Sequence, residues 1–135
     1  TVELAPFLQR LAAERSFVLA APPPAQARFD PAQMSQALLN LLKNAHESGS
    51  LPEGVELAVR EEAGGLRIEV ADRGPGMSPQ VLEQALLPFY STKRSGTGLG
   101  LALVREIAEA HGGQVRLALR EGGGLSVVLQ IPQPG

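Results

Sequence analysis

The chain of 135 residues has no cysteine and no tryptophan, one tyrosine, four phenylalanines and two histidines. Without cysteine it cannot build a disulfide scaffold, a thiolate zinc site or an iron–sulfur cluster, and it has no thiol nucleophile. His46 and His111 alone leave little room for a histidine-rich metal site or a serine–histidine triad. An excess of one charge is also lacking. Twelve Lys and Arg against 14 Asp and Glu leave a formal net charge of −2, which is no electrostatic footprint for nucleic acid or an anionic membrane. No apolar run approaches the roughly 18 residues of a membrane span, and no signal peptide opens the chain. It begins at Thr1 rather than Met, which predicts a single domain over residues 1–135 excised from a longer protein.

What is present is a globular balance, 44% hydrophobic and 19% charged, with enough glycine and proline to imply many turns. Leu4, Phe7, Leu8 and Leu11 recur at helical spacing, so residues 2–14 read as an amphipathic helix. Ser16–Ala21 reads as a short strand, ended by Pro22, Pro23 and Pro24. Asp30-Pro31 is a helix start, and the helix should run to Ser48, where Gly49 stops it. Val55–Glu61 and Leu66–Ala71 read as a hairpin around Gly64-Gly65. Leu99–Ala110 is a further helix with Leu99, Leu103 and Ile107 on one face and Gly112-Gly113 as its stop. Gln114–Arg120 and Leu125–Ile131 complete the strands, and one helical piece is expected at Pro79–Leu86. Three helices and five strands imply an α+β fold, a two-layer sandwich with the helices on one face of a five-stranded mixed or antiparallel sheet. The glycine-bracketed stretch between residues 72 and 98 is long enough to be a functional loop.

Three places could carry chemistry. On the second helix Asn40 and Asn44 stand one turn apart on a common face with Lys43. They are either a core or capping amide pair or an oxygen site suited to a hard cation such as Mg²⁺. Asp72 ends an apolar strand and is followed by Gly74, Gly76 and Met77. This is either a plain turn or an acceptor-only carboxylate that selects the amino edge of a purine, with glycines clearing the flat base. Gly96, Thr97, Gly98, Leu99 and Gly100 lead into a helix behind Lys93 and Arg94. Such a turn can offer N–H groups and a positive helix end to phosphate. It is neither a P-loop nor a dinucleotide fingerprint, because no Gly-Lys-Ser/Thr follows and no apolar strand precedes it. The basic pair is alternatively just solvated.

Taken in order, the Asn-containing helix, Asp-x-Gly-x-Gly, Pro88-Phe89-Tyr90-Ser91-Thr92-Lys93 and Gly-Thr-Gly-Leu-Gly-Leu resemble the boxes of bacterial sensor histidine kinases. The resemblance runs from about residue 4 to residue 132, includes Glu109-Ala110-His111-Gly112-Gly113, and is worded most like the nitrogen-regulation (NtrB/NtrY-like) branch. It implies the Bergerat ATP-binding fold with ATP and Mg²⁺ as cofactors. Asn44 is then the Mg²⁺ ligand and Asn40 lines the same site. Asp72 takes the adenine amino group, and Gly74, Gly76 and Met77 shape the base pocket. Gly96, Thr97, Gly98, Leu99 and Gly100 hold phosphate, Lys93 is a catalytic lid cation with Lys43 a second phosphate contact, and Ser126 is a hydroxyl near the base. Residues 77–97 form a lid anchored by Phe89.

Related ATPases and serine kinases carry a Glu where this chain has Asn40, and an amide has no useful basicity. Phosphoryl transfer to histidine is therefore favoured over hydrolysis. Glu47 departs from the family's usual basic residue, and neither His46 nor His111 lies in an acceptor helix of the family's kind. The implied partners are a dimerisation and phosphoacceptor domain and a response regulator, with no nucleic acid. The domain is expected to be cytoplasmic and monomeric, within a parent anchored in the inner membrane or not. The rival readings are a hydrolytic ATPase or serine kinase on the same fold, and a degenerate docking module.

Overall fold

The computed structural model describes residues 2–20, 22–47, 54–62, 64–72, 100–119 and 124–133. The chain opens with strand β1 (Val2–Glu3) and helix α1 (Leu4–Glu14). Leu4, Phe7, Leu8 and Leu11 form the buried stripe of α1, at the spacing that stacks side chains on one helical face. Short strands β2 (Val18–Leu19) and β3 (Gln26–Ala27) follow. Helix α2 (Pro31–Glu47) starts as its sequence dictates. Asp30 accepts the N–H of Gln33 on its side-chain Oδ1 at 3.0 Å, which satisfies one of the helix's orphan donors, and Pro31 occupies the first helical position.

Strands β4 (Glu56–Glu62) and β5 (Gly65–Ala71) make the expected hairpin, in register from Glu56↔Ala71 to Glu62↔Gly65. Helix α3 (Gly100–Ala110), β6 (Gln114–Leu119) and β7 (Leu125–Pro132) complete the described chain. The main sheet has the order β2-β4-β5-β7-β6. It is mixed, because β2 pairs parallel to β4 while every other pair is antiparallel. The three described helices cover one face of it, as the sequence predicted.

Strand alternation builds the core. Leu57 and Val59, then Leu66, Ile68 and Val70, then Leu125, Val127, Leu129 and Ile131 join α1, α2 and α3 in one buried cluster. Each fully buried aliphatic side chain there contributes about 2 kcal/mol relative to exposure. The opposite face carries polar residues. Arg67 donates to Glu69 at 3.2 Å, Ser126 donates to the same carboxylate, and Gln114 donates to Gln130 at 2.8 Å.

The end of α3 closes in a Schellman arrangement. The Gly113 N–H reaches the Ala108 carbonyl at 2.8 Å and that of Gly112 reaches Glu109 at 2.9 Å, with Gly112 at φ +76°. A Cβ on Gly113 would lie 2.0 Å from the Gln130 carbonyl oxygen, so only glycine allows this turn to press against β7.

Three expectations change. The second strand spans Val18–Leu19 rather than Ser16–Ala21; it holds to β4 through Val18 N–H to Val55 and Ala20 N–H to Leu57. The first helix begins at Leu4, because Val2–Glu3 pairs with Gln26–Ala27 in a small antiparallel sheet absent from the expectation. The face of α3 that is fully buried carries Ala102, Val104, Ile107 and Ala108, with Leu103 only partly covered. The helical piece expected at Pro79–Leu86 and the lid at 77–97 lie outside the described residues.

Candidate functional site

Asp72 follows directly on β5, and the residue is 5% exposed. By alternation it falls on the face of Ile68 and Val70, the side covered by helices. Two bonds tie it to the first residue of β7. The Asp72 N–H donates to the Leu125 carbonyl at 3.0 Å, and the Leu125 N–H donates to Asp72 Oδ1 at 3.3 Å. A buried carboxylate must be hydrogen-bonded or it costs several kcal/mol; here a backbone amide supplies part of that satisfaction.

Helix α2 packs against α3 and β5. The Asp30 N–H, ahead of α2, donates to His111 Nε2, beyond the end of α3, at 3.0 Å. The two helices therefore run antiparallel. The 11 residues of α3 span about 16 Å, which brings Gly100 level with the middle of α2. Asn40 and Lys43, both half-buried, are on that stretch, and Asn44 lies one turn beyond Asn40. Of the Asn44 side chain nothing is described. An amide oxygen is a hard donor and a helix start carries partial positive charge, so these residue types suit a hard cation and phosphate. Among the described residues no group of three or more His, Asp or Glu converges as a conventional metal cluster.

Asn40, Lys43, Asp72 and Gly100 are thus carried by elements that border one end of the helix–sheet layer. Ser126 is not brought to them. Its Cα pairs with Ala71, and its hydroxyl donates to Glu69 on the face away from the helices. One residue of strand register separates it from Leu125, and that residue inverts the face. Gly74, Gly76, Met77, Lys93, Gly96, Thr97, Gly98 and Leu99 lie outside the described residues. The Leu125 backbone amide was not foreseen, since a main-chain donor leaves no mark in a sequence.

A family profile described as histidine kinase-, DNA gyrase B- and HSP90-like ATPase matches residues 29–135. The chain belongs to that family. It is 38% identical over 107 residues to the sensor histidine kinase ZraS of Escherichia coli K12, covering 79% of this chain and 23% of that protein. With the C4-dicarboxylate transport sensor protein DctB of Rhizobium meliloti it shares 39% over 94 residues, covering 68% and 15% respectively. The chain therefore spans less than a quarter of the length of these curated relatives.

Among solved structures, the catalytic domain of histidine kinase ThkA superposes with a TM-score of 0.83 at 25% identity, covering 98% of this chain and 93% of that one. The ATP-binding domain of PrrB from Mycobacterium tuberculosis gives 0.78 at 27% identity, covering 99% and 96%. The chain is a protein-histidine kinase catalytic domain by family and by fold. An NtrY-like sensor kinase of Rickettsia bellii, 37% identical over 104 residues and covering 76% of this chain and 17% of that protein, stands beside ZraS and DctB. These relatives do not single out the nitrogen-regulation branch.

Proposed function

We propose that this domain binds Mg·ATP and passes the γ-phosphoryl group to a histidine on a separate dimerisation and phosphoacceptor domain, from which a response-regulator aspartate receives it. The observation that carries the reading is Asp72: a buried carboxylate at a strand end, held by a backbone amide and on the helix-covered face. An acceptor-only group in such a place complements the amino edge of adenine.

Asn44, with Asn40 one turn before it, would hold Mg²⁺ through an amide oxygen. When bound there, the ion would supply positive charge to offset that of the phosphates. Gly96, Gly98 and Gly100 would present N–H groups to phosphate at the start of α3, where the helix dipole is positive. In this reading Thr97 and Leu99 would add to the phosphate contacts, Gly74, Gly76 and Met77 would shape the base pocket, and Lys93 and Lys43 would offset phosphate charge. Asn40 cannot deprotonate water, whereas an acceptor imidazole is already a nucleophile, so positioning and charge neutralisation suffice for transfer. The domain itself would be monomeric and would work in the cytoplasm; among the described residues no helix is long and apolar enough to cross a membrane.

Calorimetry of ATP with and without Mg²⁺ tests the reading in the wild type, Asn44→Ala and Asp72→Ala. The expected result is binding that needs Mg²⁺ only while Asn44 is present and that is lost with Asp72. Absence of wild-type binding at sub-millimolar ATP would sink the proposal and leave a docking module.

A further inference from the structure

We infer that the backbone N–H of Leu125 is the positioning group that aims the Asp72 carboxylate at the 6-amino group of the purine, and that Gly124 gives the chain the path that makes this possible. The inference rests on the nucleotide reading above and adds the element that sets base selectivity. The last ladder pair between β5 and β7 is Ala71↔Ser126. One step further on, the Leu125 carbonyl still takes a backbone N–H, that of Asp72 at 3.0 Å. The Leu125 N–H leaves the ladder pattern and goes to a side chain, Asp72 Oδ1 at 3.3 Å.

Oδ1 is thereby held, which fixes the plane of the carboxylate and the direction of its second oxygen. A planar acceptor of fixed orientation can meet the flat edge of a base, whereas one that rotates loses directionality. The chain enters β7 through Gly124 at φ +107°, a conformation that side chains with a Cβ rarely adopt. Leu125 keeps its side chain in the core at 9% exposure, so the same residue anchors the strand and lends its amide to the carboxylate. Leu125 touches Asp72 rather than nucleotide and is a positioning residue. A carboxylate so held accepts from a 6-amino purine and rejects a purine that lacks this donor.

The test is an amide-to-ester exchange at Leu125 in the full chain, which deletes the N–H and keeps the side chain. Leu125→Pro deletes the same N–H genetically at the first residue of a strand, where proline is tolerated. Dissociation constants are measured for ATP and for purine riboside triphosphate, which lacks the 6-amine. The wild type should favour ATP about tenfold, the worth of one hydrogen bond to a charged group. Both variants should bind the two nucleotides alike, with affinity for the amine-less analogue unchanged. An ester variant that keeps the wild-type ratio, whether or not both affinities fall together, overturns the positioning role alone. A wild type that fails to discriminate, or binds neither nucleotide, overturns the adenine reading and this inference with it. If the proline variant does not fold, the ester variant decides.

Discussion

His111 Nε2 accepts the Asp30 backbone N–H at 3.0 Å while its Nδ1 stands 2.7 Å from the Ile107 carbonyl oxygen. A carbonyl can only accept, so Nδ1 carries the proton and Nε2 is the acceptor. The N-cap N–H of a helix is often taken by a side chain three residues into the same helix. Here a residue 81 positions away in sequence does so, and it couples the start of α2 to the end of α3.

His111→Phe keeps an aromatic ring but removes both the Nε2 acceptor and the Nδ1–H donor, so it should cost about 2 kcal/mol of stability. His111→Gln can place an amide oxygen near the lost Nε2 and should recover about half of that. Urea denaturation of both variants checks this; equal losses would show that ring packing, and not the bond to Asp30, is what matters.

The two glycine pairs that close the hairpin and the helix differ in kind. At Gly113 an added Cβ meets the Gln130 carbonyl oxygen at 2.0 Å, backbone that cannot step aside. At Gly64 nothing lies within 4 Å and only φ +80° resists substitution. Gly113→Ala should therefore cost about 3 kcal/mol or more, through overpacking. Gly64→Ala should cost about 1 kcal/mol, through backbone strain alone. Thermal unfolding ranks them, and a Gly64 variant as damaged as the Gly113 variant would contradict the distinction.

Local signals made most of the frame legible. Asp30-Pro31 announced α2 because a capping carboxylate and a fixed φ act within one turn. The β4–β5 hairpin was readable because its apolar residues alternate toward one buried face. What escaped were features decided by distant partners. β1 and β3 are two residues each, too short for any period, and exist because Val2 and Ala27 meet. β2 shortens because its described pairing is to β4 alone, and the prolines that follow cannot donate to a ladder. At the site, Asp72 could be singled out by its place after an apolar strand and before glycines. The amide that orients it comes from 53 residues away. Leu125 gave no sign of it.

Ser126 tests the assignment of faces. Its hydroxyl donates to Glu69 on the side of the sheet away from the helices. Ser126→Ala should lower stability by about 1 kcal/mol, the loss of one bond to a charged acceptor that stays partly solvated. ATP affinity should remain within about twofold of wild type, because a displacement of that size corresponds to less than half a kcal/mol. Calorimetry beside urea denaturation separates the two effects. A tenfold loss of ATP affinity in a stable variant would return the hydroxyl to the nucleotide site.

Asp72→Asn gives the sharpest prediction, because the amide has one acceptor and one donor where the carboxylate has two acceptors. The Leu125 N–H lies against Oδ1 and can be satisfied only by an acceptor. The asparagine oxygen must therefore take that position, or a buried donor is left unpaired. Its NH₂ then points where the second carboxylate oxygen pointed. A 6-amino purine would present a donor to a donor, and ATP affinity should fall by about ten- to a hundredfold. A 6-oxo purine would present an acceptor to that NH₂, so inosine triphosphate should bind the variant more tightly than it binds wild type. Asp72→Ala would weaken ATP without that gain. Titrating both nucleotides into both variants distinguishes a lost contact from an inverted one. If Asp72→Asn weakens both nucleotides alike, the carboxylate is not reading the 6-position of the base.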